Sequence, residues 1–348
     1  MDTNGDQTHR SSSRPSIDED ISTDSIDRVP TAEPVSYPPY SPYIITLLIP
    51  ASIFGVLARL GLTAIATHEG NAIFPLAYSQ ALGCLLIGFT ARFRESLGHY
   101  YGPLYIAITT GFCGSLTTFS SWQMDIFDSW LNSGRYPRSG FYDAVDGVAK
   151  IAFTLALSLG SVSFGHHMAC QVSDHPALQK QTRRSISKVL RTVLLMLSVL
   201  CYTAVFPAYL LMPRSFRHKA TASLLFAFPG TFTRYTLSTW LNRVSQKFPM
   251  GTFTANILGT AILAGLHVIQ SQRTNGLVCS ILQGLIDGFC GCLTTVSTYA
   301  VEVRTLRGGW GWVYAICSVL CGQIVMVLIV GSSIWAGGVE ERRDCSFE

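Results

Sequence analysis

Apolar runs long enough to cross a lipid bilayer follow one another along most of this sequence. A membrane-spanning helix needs about 20 apolar residues, because each residue adds about 1.5 Å and the hydrocarbon core is about 30 Å thick. Nine runs meet this requirement, and they cover residues 44–66, 74–92, 103–131, 144–164, 190–212, 219–241, 248–269, 278–304 and 310–335. The sequence therefore predicts an all-α integral membrane protein with nine spans.

The composition agrees with a membrane protein and argues against other classes. Only 13% of the residues are charged, whereas soluble domains carry about 25%. The net charge of +4 is too small and too scattered to indicate a nucleic-acid partner. The ten cysteines show no disulfide or zinc spacing. Because the runs also contain no nucleophile–base pair or cofactor motif, we do not expect an enzyme.

An internal repeat divides the nine runs into four, one and four. The segment GFCGSLTTFSSW at 111–122 returns as GFCGCLTTVSTY at 288–299, with eight of twelve positions identical. Upstream of these copies, Arg59 matches Arg234. The two sets of four runs are therefore copies of one four-helix unit.

The single connecting run makes the second unit enter the membrane from the opposite face. The sequence thus predicts two inverted four-helix repeats joined by one transmembrane helix, an architecture typical of transport proteins with a site near the midplane. Lysine and arginine are slightly more frequent on the N-terminal side, eleven against eight. This bias predicts a cytoplasmic N-terminus and an extracellular C-terminus.

These landmarks divide the chain into six segments. Residues 1–42 are rich in Ser, Asp, Pro and Thr and lack an apolar core, so we expect a disordered tail. The remaining segments are the first repeat at 43–168, a polar loop at 169–189, the connecting helix at 190–212, the second repeat at 213–336 and a C-terminal tail at 337–348.

Glycine and threonine occupy matched positions in the third run of each repeat, Gly114 and Thr117 in the first and Gly291 and Thr294 in the second. Glycine costs a helix about 1 kcal/mol relative to alanine, and threonine can bend a helix. We therefore predict that the third helix of each repeat is broken. Four freed carbonyls meeting at an axis would suit a hard cation such as sodium. Alternatively, the small residues only permit close helix packing.

Aromatic residues follow each predicted break. Phe119 and Trp122 stand three residues apart in the first copy, and Val296 and Tyr299 in the second. Residues at this spacing project from one helix face. A ring edge carries the positive part of the quadrupole and can face an anion. Ordinary core packing is the alternative.

Polar residues inside other runs complete a candidate pathway. They are the matched amides Gln80 and Asn256, the residues Tyr314 and Ser318 of the last run, and Lys150, Thr154 and Ser158 at the matched positions of the fourth run. Amide donors can replace water around an anion. A hydroxyl can instead bond the carbonyl four residues earlier.

Arg59 and Arg234 place a charge inside a span of each repeat, which marks a functional site by default. They attract an anion at a vestibule, or they extend to the membrane surface and anchor a helix end. Both interpretations remain open at this point.

These residues resemble the fluoride channel family, also called Fluc or fluoride exporters. The similarity covers residues 44–165 and 219–335 and rests on the GFCGxLTTFSxW motif, the upstream arginine and an Asn-x-Leu-Gly stretch. The duplication within one chain resembles the eukaryotic form of the family. The resemblance implies a passive, selective fluoride channel in the plasma membrane that works as a single chain and gives fluoride resistance.

The resemblance also implies a set of site residues. A central sodium ion would be bound by the backbone carbonyls of Gly114, Thr117, Gly291 and Thr294. The fluoride pore would be lined by Phe119, Trp122, Tyr299, Thr118, Thr295, Asn256, Gln80, Tyr314 and Ser318. Each pore in the family takes its two rings from different halves, so Phe119 pairs with Tyr299 and Val296 with Trp122. Because valine has no ring, we expect one conducting pore and one degenerate pore.

Two other functions remain open. A proton-coupled anion transporter would need a titratable group in its path, for which the candidates are Asp125, Asp146, Glu302 and Lys150. A membrane scaffold without transport would use the N-terminal tail to bind partners.

Overall fold

Helices make up all of the regular structure in the part of the chain that the structure, a computed structural model, describes. The described residues are 37–67, 74–173, 186–213, 220–272 and 275–337. The helices are α1 (Pro42–Ala66), α2 (Ala77–Arg92), α3 (Arg94–Ile106), α4 (Phe119–Leu131), α5 (Gly140–Ser173), α6 (Lys188–Leu211), α7 (Ala222–Leu241), α8 (Met250–Gln270), α9 (Gly276–Gly284), α10 (Ser297–Thr305) and α11 (Trp310–Met326).

Three of these helices continue into wider turns. The π-helical segments Ala107–Cys113, Leu285–Cys290 and Val327–Gly331 extend α3, α9 and α11. Single α-helical turns follow them at Gly114–Leu116, Gly291–Leu293 and Ser332–Trp335. The first two of these extensions contain the first part of the repeated motif, up to Leu116 and Leu293.

Six stretches of the described residues are long and apolar enough to cross a membrane, which makes this a multi-pass membrane protein. They are Pro42–Ala66, Gly140–Ser173, Lys188–Leu211, Met250–Gln270, Gly276–Thr305 and Trp310–Trp335. Each coincides with one of the nine predicted runs. The other three runs coincide with α2, with the stretch from α3 to α4, and with α7, which are not among the six.

The two halves are packed internally in the same way. Gly55 of α1 lies against the Phe112 carbonyl, and Gly230 of α7 lies against the Phe289 carbonyl. These positions are matched by the sequence repeat. The repeat of sequence is therefore also a repeat of helix packing.

The connecting helix α6 packs beside α1 and α7. Its Cys201, Tyr202 and Val205 join the apolar cluster that α1 and α7 form between them. The Tyr202 hydroxyl donates to the Leu225 carbonyl at 3.3 Å. Most other side chains of α6 are exposed, as expected for a helix that faces lipid.

Two segment boundaries differ from the sequence prediction. Helix α5 continues to Ser173, beyond the predicted span 144–164 and into the predicted loop 169–189. The reason is that an apolar run marks the part of a helix inside lipid, and nothing before Pro176 breaks the helix. The remaining residues of that loop include 174–185, which lie outside the described residues.

The end of the predicted tail is packed against the helices. The Tyr37 ring contacts Tyr101 with ring centroids 5.8 Å apart, and the Tyr235 hydroxyl donates to the Pro39 carbonyl at 2.5 Å. Tyr37 and Pro39, which precede α1, provide these two contacts. Residues 1–36 of the predicted tail and residues 338–348 of the C-terminal tail lie outside the described residues.

Candidate functional site

Both copies of the repeated motif leave helical geometry at their threonines. The backbone is extended at Thr117 (φ −101°, ψ 150°), Thr118 (φ −142°, ψ 129°) and Thr294 (φ −96°, ψ 154°). All three residues are buried. The extended backbone interrupts the hydrogen-bond ladder, so the N–H groups at the start of α4 and of α10 need acceptors from outside their own helix.

The first threonine of each motif supplies these partners to the opposite half. The Thr117 hydroxyl oxygen accepts the N–H of Val296 at 3.2 Å and of Ser297 at 3.0 Å, at the start of α10. The Thr294 hydroxyl oxygen accepts the N–H groups of Phe119 and Ser120 at the start of α4, each at 3.1 Å. Each threonine is thus the N-terminal cap of a helix in the other half.

Arg59 and Arg234 are buried beside the two interruptions, with 3% and 2% of their surface exposed. Arg59 donates to the carbonyl of Gly291 at 2.8 Å and to the carbonyl of Asp287. Arg234 donates to the carbonyls of Cys292 and Thr110, each at 2.8 Å. Backbone carbonyls thus bind both guanidinium groups inside the protein, whereas one of the two interpretations of the sequence placed them at the membrane surface.

The glycines of the two motifs make room for these guanidinium groups. A side chain at Gly291 would collide with the Arg59 guanidinium, and one at Gly114 with that of Arg234. The contact is reciprocal at positions matched by the repeat. Close approach explains the glycine at both positions.

Arg234 lines a polar cavity of about 280 Å³, and Arg59 is not part of the lining of this cavity. It is also lined by Thr110, Tyr235, Ser238, Thr239, Asn242, Thr295 and Thr298. This lining consists of one cation, hydroxyls and an amide, and it contains no acidic residue. At the position that matches Thr110, the second motif has Asp287, whose carboxylate accepts a hydrogen bond from Gln283 at 2.6 Å. The two arginines therefore lie in different electrostatic surroundings.

The aromatic residues after the interruptions form one buried cluster. The ring centroids of Phe119 and Tyr299 lie 5.6 Å apart in a T-shaped contact, and Trp122 lies 5.4 Å from Phe119. Tyr314 extends the cluster at 5.2 Å from Tyr299, and Val296 packs into it. The structure thus brings Phe119 and Tyr299 together, and it also joins Trp122 to them.

A carboxylate that the sequence placed near a span end joins this cluster. Glu302 accepts hydrogen bonds from the Tyr314 hydroxyl at 2.9 Å and the Thr252 hydroxyl at 2.6 Å. The Ser318 hydroxyl donates to the Tyr314 carbonyl four residues earlier, at 2.7 Å. At the matched positions of the first half, the Lys150 ammonium donates to the Asp125 carbonyl at 3.0 Å.

The two matched amides hold the interrupted backbone of their own half. Asn256 donates to the Thr295 carbonyl at 3.1 Å and accepts the Thr295 N–H at 2.8 Å. Gln80 donates to the Thr118 carbonyl at 2.8 Å, and its side-chain oxygen has no partner among the described residues. The longer glutamine side chain makes one of the two bonds that the asparagine makes.

Sequence reasoning missed a buried pair of amides, Gln123 and Gln323. The Gln323 side chain donates to the Gln123 backbone carbonyl at 2.9 Å and to its side-chain oxygen at 2.8 Å. The Gln123 amide nitrogen has no partner in the described part of the chain. Gln123 directly follows Trp122 inside an apolar run, and a polar residue at such a position could have indicated a buried polar contact.

The oxygen atoms available to a cation here are backbone carbonyls. No described donor bonds the carbonyl of Thr117 or Thr294. The Gly291 carbonyl already accepts Arg59, although a carbonyl has a second lone pair. No group of three His, Cys, Asp or Glu side chains lies together in the described ranges. Neutral oxygens fit sodium, while the two nearby guanidinium groups lower the affinity for any cation.

Comparison with known proteins gives matches over both halves. The family model for CrcB-like protein, camphor resistance, matches residues 46–166 and 221–331. Fluoride export protein 1 of Neurospora crassa is 32% identical over 86% of this chain and 68% of that protein. Fluoride export protein 1 of Candida albicans is 31% identical over 86% of this chain and 82% of that protein.

A bacterial relative matches part of the chain. The fluoride-specific ion channel FluC of Nitratiruptor sp. is 31% identical over 29% of this chain and 77% of that protein. No solved structure matches the chain. One bacterial chain therefore corresponds to about a third of this sequence, in agreement with its duplication.

Proposed function

The chain belongs to the CrcB-like protein family, and on that premise we propose that it is a passive, selective fluoride channel that exports cytoplasmic fluoride. One observation carries this proposal: the two interrupted helices cap each other directly beside the buried contact between Phe119 and Tyr299. Interrupted helices provide free polar groups at membrane depth, and the rings provide positive edges. The names of the relatives support fluoride as the ion.

A passive pore is sufficient for export. Fluoride enters cells as neutral HF from acidic surroundings and ionises in the neutral cytoplasm. A negative-inside potential then drives the anion outward by about 2.3 kcal/mol per 100 mV. The channel therefore belongs in the plasma membrane, with a cytoplasmic N-terminus and an extracellular C-terminus, and it gives resistance to fluoride.

The channel consists of nine spans arranged as two inverted repeats around the connecting helix. The reciprocal contacts support this arrangement. Across a two-fold interface, a contact from one position in the first half to another position in the second half is repeated with the two halves exchanged. Thr117 with Ser297 and Thr294 with Ser120 are such a pair of contacts. A single chain thus supplies both halves of the channel.

One pore conducts and the other is degenerate. The conducting pore is lined by Phe119, Tyr299, Tyr314, Ser318, Thr295 and Asn256, with Arg234 at its polar cavity. The second pore contains Val296, Gln80 and Thr118, with Arg59 at its end. It shares the Trp122 ring with the conducting pore, because that ring also contacts Phe119. Three differences support this assignment: Val296 lacks a ring, Lys150 stands at the position matched to Tyr314, and Asp287 lies beside Arg59.

A sodium ion between the halves would be held by the carbonyls of Gly114, Thr117, Gly291 and Thr294. When bound, it supplies positive charge close to the anion path. The Thr117 and Thr294 carbonyls are the better ligands, because neither is engaged by a described donor.

The decisive experiment is ion efflux from liposomes containing the purified full-length chain. We expect rapid fluoride efflux, little chloride efflux, and an unchanged fluoride rate when the proton gradient is removed at a fixed voltage. A rate that follows the proton gradient would instead establish the proton-coupled transporter, for which Glu302 beside Tyr314 is the supporting observation. No flux of either ion would favour the scaffold.

A further inference from the structure

A second candidate site lies between the connecting helix α6 and the first half. It is an apolar groove of about 620 Å³ between α1, α3 and α6. Its walls include Leu47, Phe54, Leu104, Leu197 and Cys201. An apolar space much larger than a water molecule does not fill with water but binds nonpolar molecules. Inside a bilayer, hydrocarbon is therefore the natural occupant.

The one hydroxyl in the groove wall gives water no binding site. Ser198 is buried, and its hydroxyl donates to the Leu194 carbonyl at 2.7 Å. All other side chains that line the groove are apolar or weakly polar. From Leu194 to Ala204, α6 rises about 15 Å, which is half the thickness of the hydrocarbon core. The groove therefore matches an acyl chain of one leaflet in both polarity and length.

A cation stands at one end of this groove. Arg191 precedes Leu194 by three residues, so both lie on one face of α6. Its guanidinium lies over the Tyr101 ring, 5.9 Å from the centroid, and donates to the Ile186 carbonyl at 3.3 Å. Its Nε atom has no partner among the described residues, and none of the described ion pairs includes it. Within the described ranges, the charge is thus held in place without a carboxylate.

Tyrosines mark the same end as the membrane–water interface. Tyr37, Tyr43, Tyr100 and Tyr101 gather beside Ile186 in one cluster. Tyrosine concentrates at the depth of lipid headgroups. The buried Tyr101 hydroxyl has no partner among the described residues. In the proposed orientation this end faces the cytoplasmic leaflet, where anionic lipids are found.

We propose that this groove binds an anionic glycerophospholipid, with an acyl chain between α1, α3 and α6 and the phosphate group against Arg191. This assignment rests on the position of one cation, without a carboxylate partner in the described part of the chain, at the interfacial end of an apolar groove. Lipid binding here does not depend on fluoride transport, so the two proposals fail independently.

Native mass spectrometry of the full-length chain released from nanodiscs tests the site. The nanodiscs contain equal amounts of phosphatidylserine and phosphatidylcholine with identical acyl chains. We expect the wild type to retain phosphatidylserine preferentially. Arg191→Gln should reduce that preference about fivefold, because one cation near the surface contributes about 1 kcal/mol. Arg243→Gln, which removes an exposed cation elsewhere, is the control and should leave the preference unchanged.

A second pair of variants tests the acyl-chain groove. Ala204→Phe fills the groove and should reduce the total lipid retained, whereas Val199→Phe adds the same ring to an exposed position of α6 that does not line the groove. Equal retention of both lipids by the wild type, or an Arg191→Gln variant identical to the wild type, would overturn the proposal. Thermal stabilisation by inorganic phosphate equal to that by phosphatidylserine would also overturn it.

Discussion

Thr117 and Thr294 each complete a helix that belongs to the other half of the chain. Thr117 accepts the Ser297 N–H at 3.0 Å, and Thr294 accepts the Ser120 N–H at 3.1 Å. These caps are buried, so water cannot replace them. The stability of each interrupted helix therefore depends on the opposite half.

Removing either hydroxyl should destabilise the protein. We expect Thr117→Val and Thr294→Val each to cost about 1–3 kcal/mol, because buried N–H groups are left without acceptors. Thermal unfolding in detergent measures the effect. Thr117→Ser and Thr294→Ser keep the hydroxyl and should lie close to the wild type. Equal losses for serine and valine would show that the methyl group matters and the cap does not.

The two aromatic positions matched by the repeat should respond differently. Phe119→Ile removes the ring that contacts Tyr299, and we expect fluoride efflux from liposomes to fall roughly tenfold or more, which corresponds to at least about 1.4 kcal/mol. Val296→Ala has no ring to lose and should leave the efflux rate almost unchanged. The reverse result would exclude the assignment of the conducting pore.

The two arginines should separate transport from stability. Arg59→Lys and Arg234→Lys both lose the guanidinium fork that binds two carbonyls, so both should lower the unfolding temperature. Arg234 also lines the polar cavity, and we expect only Arg234→Lys to reduce fluoride efflux per folded molecule by a large factor. A fluoride efflux per folded molecule that is unchanged in both variants would assign both arginines a purely structural role, and an equal loss in both would contradict the difference expected here.

Sodium should stabilise the protein. If the Thr117 and Thr294 carbonyls bind the ion, the unfolding temperature rises with sodium concentration. When sodium is in hundredfold excess over its dissociation constant, the free energy of unfolding should increase by about 2.7 kcal/mol. A titration at constant ionic strength against N-methylglucamine measures this shift. The same unfolding temperature at every sodium concentration would exclude the site.

Exchanging the two amides tests their backbone contacts. Asn256→Gln should destabilise the chain by about 1–3 kcal/mol, because a longer side chain loses the bond from the Thr295 N–H. Gln80→Asn is the matched control. It should leave the stability unchanged or increase it, because the buried side-chain oxygen of the wild-type Gln80 has no described partner to lose. Thermal unfolding of both variants gives the comparison, and destabilisation by Gln80→Asn would contradict this account.

Sequence reasoning succeeded where the controlling forces are local. The apolar runs located helices because hydropathy and length act over about 20 residues. It failed where partners are distant. Arg59 binds a carbonyl 232 residues away, and Gln123 meets Gln323 across 200 residues. Such pairings depend on how the two halves meet, which no local pattern contains.

The caps that each half supplies to the other also affect the order of folding during synthesis. The acceptor of the Ser120 N–H is the Thr294 hydroxyl, which is synthesised 174 residues later. At about 5–20 residues per second, a ribosome needs about 10–35 s to deliver it. During that interval α4 has an incomplete first turn inside the membrane, and the first four helices cannot reach their final packing. A nascent chain that ends before Thr294 therefore lacks the cap of α4, even when its first half is fully synthesised, and we expect quality control to act on it.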